Sequence, residues 1–313
     1  MKEITIHRFR IPVVCGQTTD GNDAIYDDNG VLMLPAAYRD AGAPTVLVIN
    51  CHGAGGTVET DDSQIEGQAI TKYLLANGYA VMDVNGLPRE YAALAGIDIR
   101  NNIGSPIAVQ SYISAYHYCM EHFNLKREVL VHGGSMGGIS STNLVLSGKV
   151  PVLAQSGFCP VLDTYHQIFL HPWSGGLPKT ALGIFYGLEK REDGAWVYDA
   201  EKIRGYNPME RCVDADGREC LAYPVPVRFW QCEDDGTVDI AVTKRFVSAV
   251  QNAGGTAALR TFPDGGHEPQ DWGTPTEHPC GRSVLGGEAI LIRPAVEEAF
   301  AWLTGFAAAD SGA

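Results

Sequence analysis

Positive charge is scarce in this sequence. Lys and Arg together number 23 against 37 Asp and Glu, a formal net charge of −14 over 313 residues. The basic residues do not cluster, and such a surface repels a phosphate backbone, so nucleic acid is excluded as a partner. The acidic excess needs no special partner of its own, because it serves solubility. Long apolar runs are also missing. None approaches the roughly 18 residues that a membrane span needs, and Met1-Lys2-Glu3-Ile4-Thr5-Ile6-His7 lacks the apolar core of a signal peptide. A cytoplasmic protein without membrane contact is expected.

Metal-binding spacings are absent as well. There is no C-x-x-C, H-E-x-x-H or EF-hand pattern among the residues. His117 and His122 lie five apart on one expected helix and so point in different directions. No metal site and no cofactor are expected. The eight cysteines are irregularly spaced, as free thiols are in a reducing compartment, and Cys51, Cys119, Cys159 and Cys232 lie in or beside apolar segments. Cys212 and Cys220 are close enough in sequence to pair under oxidant. No Ser/Gly or Pro-rich linker, repeat or low-complexity tract divides the chain. One domain over 1–313 is expected, with hydrophobic content of 45% to fill its core.

What the sequence does contain is Gly133-Gly134-Ser135-Met136-Gly137, a G-x-S-x-G between a strand-like Val129-Leu130-Val131 and a helix-like stretch from Gly138 to Leu146. A serine hydroxyl is a poor nucleophile until a sharp turn lifts it out of the backbone toward a base. Flanking glycines are expected there because side chains would meet the neighbouring strand and helix. The Met136 N–H then lies at a helix N-terminus, placed to stabilise an oxyanion.

Three further stretches sit where such a serine needs them. Pro44 to Asn50 is a β-branched run, expected as a strand buried on both faces, and it leads into Cys51-His52-Gly53-Ala54-Gly55-Gly56. A glycine-rich loop at a strand end exposes backbone N–H groups; its spacing is neither G-x-G-x-x-G nor followed by G-K-[ST], which argues against a nucleotide. Pro224 to Cys232 reads as a strand ending in Glu233-Asp234-Asp235-Gly236-Thr237-Val238-Asp239. Asp235 is favoured over Asp234 as the carboxylate that orients an imidazole, and Asp239 reads as the N-cap of a helix over 240–253. Ala257 to Phe262 is a last strand, followed by Pro263-Asp264-Gly265-Gly266-His267. The order Ser135, Asp235, His267 is that of strand–turn–helix serine enzymes. His278, in a Pro-rich stretch with no strand before it, is the rival base, and His132 reads as a satisfied strand-end histidine.

On these motifs the chain, over roughly residues 40 to 305, resembles the α/β-hydrolase superfamily. Gly134 stands where many members carry histidine or tyrosine, so the elbow selects no subgroup. The resemblance implies an α/β-hydrolase fold, a mostly parallel sheet with helices on both faces. It further implies a Ser135–His267–Asp235 triad, an oxyanion hole from the N–H groups of Met136 and Ala54 (Gly53 being the alternative), and His52 bracing that loop. The expected activity is hydrolysis of a carboxylic ester through an acyl-enzyme. Alternatives are a peptidase acting on short peptides, an acyltransferase, or a ligand receptor retaining the fold. Small-molecule ester or short-peptide substrates are the expected partners, and a homo-oligomer is compatible with the sequence.

Alternation along the chain gives the frame. Edge strands are expected over 4–13 and 31–38, with turns at 18–23 and 27–30. A helix near 62–76, a strand over 79–85, a helix near 106–123 and a strand over 150–155 then form βαβ units. Residues 160–222 break the alternation and carry Tyr165, His166, Phe169, His171, Trp173, Phe185, Tyr186, Trp196 and Tyr198. They are expected as a cap insertion, with some of these rings lining the substrate pocket.

Overall fold

Short apolar strands alternating with helices generate the sheet. The computed structural model describes residues 4–59, 65–171, 179–214, 216–278 and 289–309. Strands β1 (Thr5–Gln17), β2 (Asp23–Leu34), β3 (Leu47–Cys51), β4 (Ala80–Val84), β5 (Val129–Gly134) and β6 (Val152–Phe158) are followed by a two-residue pair, β7 (Glu189–Lys190) and β8 (Trp196–Val197). The later strands are β9 (Val227–Cys232), β10 (Ala257–Phe262), β11 (Thr276–His278) and β12 (Ile290–Ile292). Eight of them form one sheet in the order β1-β2-β4-β3-β5-β6-β9-β10. β1 and β2 run antiparallel, as do β2 and β4, and every pairing from β4 to β10 is parallel.

Helices cover both faces: α1 (Ala69–Ala76), α2 (Arg89–Ala95), α3 (Pro106–His122), α4 (Gly137–Ser147), α5 (Lys179–Tyr186), α6 (Ala200–Tyr206), α7 (Ile240–Asn252) and α8 (Pro294–Ala309). Strand alternation splits the core accordingly. Leu47, Ile49, Val129 and Val131 join the layer of Tyr112 of α3, Ile139 of α4 and Phe246 of α7. Val48 and Leu130 point the other way, to Leu74 of α1 and Val296 and Leu303 of α8. All five residues of β3 are buried, which is why its sequence is a continuous apolar run rather than an alternation.

Two expectations change. The turn expected at 27–30 lies inside β2. There Gly30 faces Phe9, whose ring occupies the space a Cβ would need, and the buried Asp28 carboxylate accepts from the N–H groups of Asn29 and Gly86 and from the Ser111 hydroxyl. A satisfied polar residue in a strand imitates a turn signal. The helix expected from 62 begins at Ala69, after a 3-10 turn over Ile65–Gly67, and residues 62–64 lie outside the described part. The sequence reading assigned no element to α8, although Ala295, Ala299, Leu303 and Ala307 form a buried stripe at helical spacing.

Residues 160–222 hold a short wide-turn helix at His166–Leu170, then α5, the β7–β8 pair and α6. Phe185 and Tyr186 are buried core, and the Tyr186 hydroxyl donates to the carbonyls of Ile103 and Tyr206. Among the described residues no helix is long and apolar enough to cross a membrane.

Candidate active site

The sharp turn at Ser135 follows from crowding between β5 and α4. Ser135 has φ 52, a left-handed conformation unusual for a side-chain-bearing residue, which costs about 1–2 kcal/mol. Its backbone is pinned on both sides. The Ser135 N–H donates to Phe158 O at 2.9 Å, and the Ser135 carbonyl accepts from Gly138 and Val161 at 2.8 and 2.9 Å. A Cβ on Gly137 would overlap the Cys51 carbonyl, and one on Gly133 would overlap Ser141 Oγ. Gly134 is different: the nearest atom to a Cβ there is Phe158 O at 3.8 Å. Of the glycines flanking the serine, clashes therefore demand Gly133 and Gly137 but not Gly134.

The three expected side chains meet in one hydrogen-bonded chain. His267 Nε2 lies 2.9 Å from Ser135 Oγ, and His267 Nδ1 lies 3.1 Å from each oxygen of Asp235. Asp235 is held in turn by the N–H groups of Thr237 and Val238, both at 2.9 Å, and by Gln231 Nε2 at 3.0 Å. Burial raises the Asp235 carboxyl, but the hydrogen bond to His267 and the two N–H donors outweigh it, leaving Asp235 below the usual carboxylate value. The loop that carries His267 depends on its glycine pair, since Gly265 and Gly266 have φ 119 and 62. Asp234 anchors this loop by accepting from the Gly266 N–H at 2.8 Å. Asp239 caps α7 through the Ala241 N–H and also meets His166 Nε2 at 2.9 Å.

Gly53 approaches the elbow, where a Cβ would lie 3.4 Å from the Gly134 carbonyl and 3.5 Å from Ser135 Cβ. The start of α4 and the loop after β3 thus abut. Among the described residues the N–H groups of Met136 and Ala54 donate to no protein acceptor. Behind the loop His52 is buried with Nδ1 3.2 Å from Asp83 Oδ1, and Asp83 also accepts from Asn50 Nδ2 at 2.9 Å and the Tyr112 hydroxyl at 2.8 Å. Burial lowers the His52 pKa, yet Asp83 and Asp28 outweigh it and hold it above the ordinary histidine value. His132 bonds to Ser156 Oγ at 2.8 Å, and burial lowers its pKa to about 4. The rival His278 is remote, with Nε2 3.2 Å from the Tyr73 hydroxyl.

A cavity of about 630 Å³ opens beside Ser135 and His267, walled by Gly53, Ala54, Gln68, Ile70, Phe158 and Val296. Among the described residues its wall carries the carboxyl groups of Glu268 and Asp271 and no Lys or Arg, and Asp271 Oδ1 lies 3.8 Å from Arg293 Nε. None of the described aromatic rings of 160–222 lines it. Tyr165, Phe169, Trp196 and Tyr198 pack on one another instead, and Trp173 lies outside the described residues. His166 is taken up by Asp239. These rings hold their segment together rather than forming this cavity.

Sequence reasoning missed Gln231, Asp83 and Cys159. The first two had a signal, being polar residues inside otherwise apolar strands, where a buried polar group requires partners. Cys159, 3% exposed, has its Sγ 3.9 Å from His267 Nε2 and 3.0 Å from the His267 carbonyl. Nothing local announced that. Burial, then the Asp235 charge, raises its thiol well above the ordinary value. Cys212 and Cys220 are both free, though the Cys220 N–H donates to the Cys212 carbonyl at 2.7 Å.

No family model matches this chain, and no curated protein matches it. Solved structures do. A prolyl endopeptidase is superimposed with a TM-score of 0.59 at 17% identity, covering 97% of this chain and 38% of that one. An acylaminoacyl peptidase from Pyrococcus horikoshii gives 0.60 at 12% identity, covering 98% and 42%. A puromycin hydrolase gives 0.55 at 19% identity, covering 83% and 36%. The sheet order, the strand–elbow–helix and these likenesses make the architecture an α/β-hydrolase fold. At such identities the likeness is one of fold, and the chain spans about two-fifths of the length of these proteins.

Proposed function

We propose that this chain is a serine hydrolase that cleaves amide bonds of short peptides or peptide-like compounds through an acyl-enzyme. The observation that carries the reading is the chain from Ser135 Oγ through His267, at 2.9 Å, to Asp235, at 3.1 Å, built on a left-handed serine beside a cavity. Ser135 Oγ attacks the acyl carbon while His267 Nε2 takes its proton, and Asp235 holds Nδ1–H so that Nε2 stays an acceptor. The tetrahedral oxyanion is received by the N–H groups of Met136 and Ala54. His267 then protonates the leaving amine, and water, activated by the same imidazole, releases the acid. Residues 160–222 are read as an insertion in a single domain. It buttresses the acid loop, through Gln167 Nε2 on the Thr237 carbonyl at 2.7 Å and His166 on Asp239.

Two features favour peptides over the carboxylic esters expected from the sequence. Structures of the same fold include peptidases and a puromycin hydrolase, and the cavity wall offers the Glu268 carboxylate, which suits a substrate amine. Ester cleavage remains the second reading, because the acyl chemistry is shared. The test compares aminoacyl and dipeptidyl amides, with free and blocked N-termini, against esters of the same acyl groups. Free-amine amides turn over, and Glu268→Gln raises KM for them alone by up to about fivefold, the worth of one exposed ion pair near 1 kcal/mol. Turnover confined to esters returns the second reading; neither turnover nor covalent labelling leaves a receptor.

A further inference from the structure

The sequence offers no metal spacing, yet the fold assembles one set of ligands from residues 108 apart. Cys159, Asp235 and His267 present ligand atoms that all lie within 4.8 Å of one another. From this geometry we infer that Cys159 Sγ and His267 Nε2 form a site for a soft divalent cation, zinc or cadmium, whose binding reversibly switches off Ser135. The consequence for turnover rests on the proposed role of His267 as base; the binding itself does not.

The distances suit one bridging ion. A zinc–thiolate bond of about 2.3 Å and a zinc–imidazole bond of about 2.0–2.1 Å sum to roughly 4.4 Å. The Sγ–Nε2 separation is 3.9 Å, so a single ion spans both atoms with a bent S–metal–N angle, as tetrahedral coordination needs. Cys159 is placed firmly: its N–H donates to Trp230 O at 2.8 Å, and its φ is 39. It also lines the cavity with Ser135 and His267, so a hydrated ion reaches it, and the carboxylates of that wall attract one. The remaining coordination positions open to that cavity and take water.

Asp235 supplies the outer partner. A metal-ligating histidine ordinarily gives its other ring N–H to a carboxylate, which fixes the tautomer and strengthens the ligand. Here Nδ1 already faces Asp235 at 3.1 Å. The arrangement that makes Nε2 a base toward Ser135 also makes it a metal ligand. In the binding step the Cys159 S–H bond breaks and an S–metal bond forms. The Nε2 lone pair forms the second bond, and one proton leaves to solvent. No electrons are transferred. The occupied Nε2 can no longer accept the Ser135 proton, so the two states exclude each other.

The test uses the whole chain with cadmium and zinc as probes. Cadmium should produce a thiolate-to-metal charge-transfer band in the ultraviolet that zinc competes away, a readout that needs no turnover. Zinc should suppress both turnover and fluorophosphonate labelling, and EDTA should restore them. With Cys159→Ala and the near-isosteric Cys159→Ser, each scaled to its own metal-free rate, the zinc concentration for half-inhibition should rise on the order of 100-fold. Folding of each variant is checked by circular dichroism. Absence of the band in the wild type, or equal zinc sensitivity in a folded Cys159 variant, overturns the site. A band without any labelling of metal-free protein instead leaves the site intact and overturns the hydrolase reading.

Discussion

Replacing Asp235 with Asn changes one atom type and tests how the imidazole is held. The carboxylate takes Thr237 and Val238 N–H on Oδ1, Gln231 Nε2 on Oδ2, and His267 Nδ1 on both. An amide has one acceptor. Turning its oxygen toward the two backbone donors is cheaper, so its NH2 falls opposite Gln231 and His267. Nδ1, equally near both positions, then meets a donor beside the remaining oxygen, which weakens the hold on Nδ1–H and favours the tautomer with its proton on Nε2, unable to take the Ser135 proton. Turnover should drop roughly 10⁴-fold, about 5 kcal/mol of transition-state stabilisation. The donor facing Gln231 adds a stability loss of about 1–3 kcal/mol. Steady-state turnover of an activated ester, the rate of fluorophosphonate labelling and urea unfolding separate the two effects. Asp234→Asn is the control, because an amide oxygen can still accept the Gly266 N–H, and it should lose only a few-fold. A folded Asp235→Asn variant within tenfold of the wild type refutes the tautomer argument.

Two other outcomes follow from the same geometry. Burial raises the Asp28 carboxyl from 3.8 to about 7, so the folded state holds its proton more tightly than the unfolded chain. The stability this gives is present below about pH 4 and is lost as pH rises toward 7, with a slope of up to about 1.4 kcal/mol per pH unit. Urea midpoints between pH 5 and 7 should therefore fall more steeply for the wild type than for Asp28→Asn; parallel curves contradict the shift. His278→Ala should retain turnover while losing the Tyr73 contact; if it is inactive while folded, His278 rather than His267 serves the site.

The legible parts of this molecule are those whose cause is local. A glycine-flanked serine between an apolar strand and a helix must turn sharply, and the sequence shows that at Gly133, Ser135 and Gly137 without any tertiary knowledge. Asp239 could be read as a cap because it directly precedes an amphipathic helix. The misreadings arise where tertiary partners override local composition. Asp27-Asp28-Asn29-Gly30 looks like a turn until Phe9 and Ser111 are brought against it. The aromatic segment suggests a pocket, yet Tyr165, Phe169 and Tyr198 are found packed on one another. Cys159 reads from the sequence as an apolar-segment thiol because its neighbour His267 lies 108 residues away. Only the parallel pairings of β6 with β9 and of β9 with β10 bring those loops together.

A fluorophosphonate probe followed by peptide mass spectrometry tests whether His267 activates Ser135 as a nucleophile. The probe should attach to the Ser135 peptide alone, and Ser135→Ala should fold normally yet neither label nor turn over substrate. Labelling that persists undiminished in Ser135→Ala, or none in the folded wild type, contradicts the account.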